Sequence, residues 1–169
     1  MKRNSSGGFT LIQTLIVVGI VGVISAVAVP IFVHAINPYR LSAAVNAAAG
    51  AVSATRFQAI MNGCPYELIF TASTMSYQVY NELPTTTGGG CATSFSAVGR
   101  AVPLPSAGPI TMAGTSLTFT FYSNGTVTSV PSPAGTAFQL FLMPPKGTTA
   151  ALSNTITVTG VGDVQVSSP

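Results

Sequence analysis

The chain has 169 residues, of which 47% are hydrophobic and only 5% charged, against the roughly 25% charge usual for soluble domains. Six cations and three acids leave a formal charge of +3, scattered without a basic run, so the sequence carries no electrostatic footprint for nucleic acid. One histidine and two cysteines are too few for a metal centre without good carboxylate partners, and the absence of a carboxylate pair, nucleophile elbow or phosphate loop argues against an enzyme and implies no cofactor.

A short leader, residues 1–8, holds Lys2 and Arg3 and runs straight into an apolar stretch that opens at Phe9. No Asp, Glu, Lys or Arg follows until Arg40. A helix over residues 9–35 would be about 40 Å long, enough to cross a hydrocarbon core with some tilt. The cations on its N-terminal side predict a cytoplasmic leader and an exported remainder. An ordinary secretory signal peptide is the competing reading, with Ser25-Ala26-Val27-Ala28 as its cleavage site. Such a peptide has an apolar core of about 7–15 residues, and this run is far longer. Gly19 and Gly22 allow close helix approach at some cost in helix stability. Pro30 lacks a backbone donor and predicts a kink or a melted turn. His34 falls in or just beyond the membrane segment, distant in sequence from any acid, and reads as an interfacial residue rather than a base.

The segment Gly8-Phe9-Thr10-Leu11-Ile12 followed by an apolar helix resembles the class III leader of type IV pilins and type II secretion pseudopilins. The resemblance implies that a membrane-embedded prepilin peptidase cuts between Gly8 and Phe9 and methylates the new Phe9 amine. It also implies an inner-membrane assembly platform and other pilins as partners, reached through the helix after it leaves the lipid. Apolar surface pulled from a bilayer must be buried against neighbouring helices. The family has a proline at the place of Pro30, associated with an unwound stretch in filaments. Its fifth mature residue is normally a glutamate, thought to neutralise the amine of an adjacent subunit. Here that residue is Gln13, which cannot supply the charge. Gln13 is either tolerated variation or the mark of a subunit at the filament tip, with none beyond it to engage.

Further along, Asn37-Pro38 reads as a turn or a helix start. Leu41, Val45, Ala48, Val52, Thr55 and Ala59 recur at helical spacing, so an amphipathic helix over residues 36–61 is expected to pack its apolar stripe on a sheet. Asn62-Gly63 ends it. Residues 62–169 form a β-rich remainder, with strands expected at 66–71, 75–80, 117–122, 126–130, 137–142, 155–159 and 161–166. Ser123-Asn124-Gly125-Thr126 predicts a hairpin turn with two positive φ angles. Residues 84–90 and 103–109 read as loops. Cys64 and Cys91 follow the export signal. They form either a disulfide, worth roughly 3–4 kcal/mol by loop closure, or two buried thiols.

Leu117-Thr118-Phe119 with Gly125, Ile156-Thr157-Val158 leading to Gly162-Asp163-Val164, and Ala54-Thr55-Arg56-Phe57-Gln58-Ala59 are similar to the GspH/FimT group of minor pilins and pseudopilins. The fold class expected is α+β and type IV pilin-like: a long N-terminal helix, kinked near Pro30, packed on an antiparallel β domain. Some members of the group are linked to DNA uptake through a glycine-arginine-x-arginine motif. Here the matching stretch is Gly162-Asp163-Val164-Gln165, where a carboxylate would repel phosphate, and Arg100 and Lys146 are isolated cations, so nucleic acid is disfavoured as a partner. The expected role is a structural minor subunit of a pilus or secretion system that initiates or caps a filament. A ligand-binding subunit, with residues 85–91 as the loop to examine, and a major shaft subunit are the alternatives.

Overall fold

The computed structural model describes residues 10–84, 90–105, 110–114, 116–130, 137–142 and 152–168. Two compact units make up the chain, Met1–Ile36 and Asn37–Pro169. Helix α1 (Leu11–Asn62) begins in the first and continues in the second. It is helical without interruption at Pro30 and at Pro38, which corrects the turn expected at Asn37-Pro38 and, of the two outcomes expected at Pro30, the melted turn. Neither a melted turn at Pro30 nor a break at Asn37-Pro38 is present. A proline removes one donor and crowds one carbonyl, at about 3 kcal/mol, and long helix-forming stretches on both sides absorb that cost. Asn37 is buried rather than capping, and its Oδ1 finds no hydrogen-bond partner among the described residues. At the other end Gly63 takes φ 68°, the left-handed conformation that closes a helix C-terminus.

In the second unit one face of α1 is largely apolar. Leu41, Ala44, Val45, Ala48, Val52 and Ala59 are all buried, and the Thr55 hydroxyl satisfies itself by donating to the Ala51 carbonyl at 2.7 Å. Against this face lie two antiparallel sheets. The first has the order β3-β2-β1-β5-β6 and the second β4-β7-β8-β9.

The first sheet is built from β1 (Tyr66–Thr71), β2 (Ser76–Pro84), β3 (Cys91–Pro103), β5 (Leu117–Phe121) and β6 (Val127–Val130). In β1, Tyr66, Leu68 and Phe70 point inward and alternate with half-buried residues, and β5 does the same with Leu117, Phe119 and Phe121. Register places Leu68 opposite Phe119, so both alternations serve one face. The second sheet comprises β4 (Ile110–Met112), β7 (Ala137–Leu142), β8 (Ser153–Val158) and β9 (Val164–Ser167). It turns Ile110, Met112, Phe138, Leu140, Ile156 and Val158 into the same core. The two sheets meet through aromatic rings. Phe138 of β7 lies 5.0 Å from Phe70 and 6.0 Å from Phe119 between centroids, and Phe70 meets Phe119 edge-on at 6.3 Å. Offset and edge-on pairs of this kind add about 0.5–1.5 kcal/mol each beyond burial.

Three further corrections concern the β domain. Strands β3 and β4 were not expected. β3 is mostly solvent-exposed and shows no period-two burial, so nothing in its sequence marks it. It is held by β2 through two register shifts, and Gln78 Nε2 donates into one of them, to the carbonyls of Val98 and Gly99 at 3.3 Å each. The β5–β6 turn also differs. Gly125 alone has positive φ, 82°, and its N–H donates to the Tyr122 carbonyl at 2.9 Å. Asn124 instead accepts from the Thr126 N–H at 3.0 Å and hydroxyl at 2.7 Å. The local side-chain bond holds Asn124 out of the left-handed region, giving a longer turn with the glycine at its left-handed position.

Candidate functional site

In the first unit, Leu11–Val29 is long and apolar enough to cross a membrane, with mean hydropathy 2.5 and none of it buried. Leu, Ile and Val side chains surround the helix on every side, each more than half exposed from Leu11 to Val29. A helix that is apolar all round must be covered by lipid or by protein. A Cβ built at Gly19 or Gly22 would meet nothing within 4 Å. These positions are gaps where another helix can come near. Gly8 and Phe9 lie outside the described residues, as do the side chains of Pro30 and His34.

The start of this helix is closed by the chain itself. Thr10 precedes the first helical residue, and Gln13 stands three positions on, the spacing of a capping box. Gln13 Oε1 accepts from the Thr10 backbone N–H at 3.2 Å and from the Thr10 hydroxyl at 3.4 Å. Gln13 N–H donates to the Thr10 carbonyl at 3.0 Å, and the Thr14 hydroxyl donates to the Leu11 carbonyl at 2.9 Å. The threonine-x-x-glutamine spacing is itself a cap signal legible in the sequence.

In the second unit Gly162-Asp163 lie in the turn from β8 into β9, and Val164-Gln165 open β9. Gly162 N–H donates to the Thr159 carbonyl at 2.8 Å, and Asp163 N–H to the Thr159 hydroxyl at 3.0 Å. Asp163 and Gln165 are exposed, whereas Gly162 is buried. Arg56 of α1 lies on it. A Cβ at Gly162 would stand 2.6 Å from Arg56 Cδ and 2.7 Å from its Nε. The same guanidinium reaches the β5–β6 turn, with Nη2 3.6 Å from the Cβ position of Gly125. Both glycines have positive φ. Arg56 thus spans a turn of each sheet, and its Nε is buried without a hydrogen-bond partner among the described residues. Beside it is a cleft of about 300 Å³ walled by Phe57, Ile60 and Val164, with Asp163 and Ser53 at its edge. The carboxylate at this cleft opposes the binding of a phosphate backbone. Arg100 is exposed on β3, away from this turn, and Lys146 lies outside the described residues.

Cys64 and Cys91 are joined by a disulfide. It ties the residue after the helix-ending Gly63 to the first residue of β3, across residues 85–89, which are outside the described set. On β1, Glu67 faces away from the core between Tyr80 and Thr120. Partial burial among them pushes its carboxyl above the ordinary value of 4.5.

No protein-family profile and no curated protein matches the chain. Among solved structures it is similar to the type IV minor pilin FimU of Pseudomonas aeruginosa strain PAO1, in two crystal forms. For the P21 form the identity is 16%, with 79% of this chain and 96% of that chain covered and a TM-score of 0.47. For the P65 form the identity is again 16%, the coverage 76% and 97%, and the TM-score 0.43.

Proposed function

We propose that this chain is a structural subunit of the type IV pilin and pseudopilin family, a minor one that initiates or caps a filament. Residues 1–8 are its leader, removed by prepilin peptidase, and Phe9 becomes the methylated N-terminus. The helix over residues 9–35 anchors it in the inner membrane with the β domain outside the cytoplasm. There the assembly platform draws it from the lipid, and it joins a pilus or a secretion pseudopilus among other pilins. Its chemistry is that of packing: it is the substrate of a processing enzyme, with no catalytic group of its own in this role.

One observation carries the reading. The Gly8-Phe9 junction stands directly before Leu11–Val29, a span without charge and without any buried residue. Cleavage there leaves the whole apolar helix on the mature protein, where lipid covers it first and neighbouring helices afterwards. Gln13 in place of the usual acid favours a terminal position over a repeated one along the shaft. The test is the mass of the mature N-terminal peptide, together with the copy number of the protein in sheared, washed filaments. A peptide beginning at methylated Phe9, in trace but reproducible copies, is the expected result. A start at Met1 or after Ala28 would refute processing, and dominant abundance would make this the shaft subunit.

A further inference from the structure

Arg56 is a cation that the fold covers in part and leaves without an acceptor. Its stem lies on Gly162 and its guanidinium reaches Gly125. The Nε is sealed from solvent, and no hydrogen bond or ion pair engages this side chain among the described residues. A guanidinium stays charged at any ordinary pH and holds five donors in a planar fork. A sealed donor left unmet is costly, so a molecule that brings an acceptor relieves that cost when it binds. The cleft beside Arg56 limits what the molecule can be. Ser53, Arg56, Phe57 and Ile60 recur at i, i+3, i+4 and i+7 and share one face of α1. A volume of about 300 Å³ is at the small end for a ligand site and suits one residue-sized group. Phe57 and Ile60 are 62% and 45% exposed, so an apolar group that covers them and Val164 is favoured. Asp163, exposed at the edge, repels a polyanion but accepts from an N–H.

We infer that this cleft binds an apolar α-amino-acid residue with a free carboxylate. The carboxylate accepts from the Arg56 fork, the adjoining N–H donates to Asp163, and the side chain lies against Phe57, Ile60 and Val164. Such a residue comes as a free amino acid or as the last residue of a peptide. Every group involved belongs to the unit Asn37–Pro169, so the inference stands apart from the leader, the membrane helix and the proposed role in a filament.

The test is a titration of the full chain, nitrogen-15 labelled in neutral maltoside micelles, with L-leucine, N-acetyl-L-leucine and L-leucinamide. Binding is read by nuclear magnetic resonance at the Arg56 Nε–H and the Gly162 amide. At least one of the two carboxylate ligands is expected to shift both signals saturably. Leucinamide, which has no charged acceptor, should bind about tenfold more weakly than that ligand. Tighter binding of leucine assigns the free amino acid, whose ammonium meets Asp163, and tighter binding of N-acetyl-leucine assigns a peptide end. Phe57→Ser, at an exposed position where the fold is not at stake, should weaken the better ligand about fivefold. Equal binding of leucinamide, equal displacement by inorganic phosphate, unchanged affinity in Phe57→Ser, or no shift at Arg56 with any of the three would overturn the inference.

Discussion

Arg56 and Gly162 make a contact whose cost can be taken apart. Alanine at Gly162 faces two penalties, a positive φ of 75° and a Cβ pressed against the Arg56 stem at 2.6 Å, with Val127 Cγ2 at 3.1 Å. Alanine at Gly125 faces only the first, since its nearest neighbour there is at an ordinary 3.6 Å. The left-handed conformation costs an alanine about 1 kcal/mol, and forcing the arginine off its seat adds about 1–2 kcal/mol. Gly162→Ala is therefore expected to destabilise the protein by about 2–3 kcal/mol and Gly125→Ala by about 1 kcal/mol. Urea unfolding of the detergent-solubilised chain measures both. Arg56→Ala combined with Gly162→Ala should recover about 1 kcal/mol relative to the sum of the single changes, and with Gly125→Ala nothing. Zero coupling in the first pair would mean that Arg56 does not sit on Gly162. Each residue stood out in the sequence separately, but no period or spacing connects a helix arginine to a distant turn glycine. Their contact is a property of the packed fold.

At the scale of elements, legibility followed burial. Strands β1 and β5 alternate because one face of each is in the core, and the stripe from Leu41 to Ala59 repeats because one face of α1 is covered. Those signals read directly. β3 has 13 residues, more than any other strand, and was invisible, because both its faces meet solvent over most of its length. Its position comes from pairing with β2 and from the Cys64–Cys91 disulfide at its first residue. Reduction should therefore act mainly on this strand. The closed loop, with a sequence separation of 27, corresponds to a chain-entropy contribution of about 3–4 kcal/mol. Cys91→Ser is expected to lower stability by about 3 kcal/mol and to raise hydrogen exchange in residues 91–103 before it affects β1 or β5. Uniform loss of protection across both sheets would show instead that β3 is integral to the core. The melted turn at Pro30 and the turn at Pro38 are local signals, and the long helix formed on both sides of each carries through them.

The whole chain divides its hydrophobic residues between two purposes. From Leu11 to Val29 they are displayed, and between Leu41 and Val158 a subset is enclosed in one core cluster. Every residue of the enclosed cluster, and the disulfide, belongs to the unit Asn37–Pro169. If the first unit contributes nothing to that cluster, its removal takes away an anchor and leaves a folded domain. A chain beginning at Asn37 is expected to dissolve without detergent, to run as a monomer by light scattering and to unfold in one cooperative thermal transition. Its midpoint should fall within about 5 °C of the corresponding transition of the full chain in micelles, because a change of 1 kcal/mol moves the midpoint of a domain this size by only about 4 °C. Its two thiols should become reactive only after reduction. The full chain without detergent should aggregate, since its exposed span has no other way to leave water. A shortened chain that is molten or aggregated would mean that residues before Asn37 take part in the fold. The helix over residues 9–35 would then be a structural element of the domain, and the proposal that lipid and neighbouring subunits are its only cover would fail.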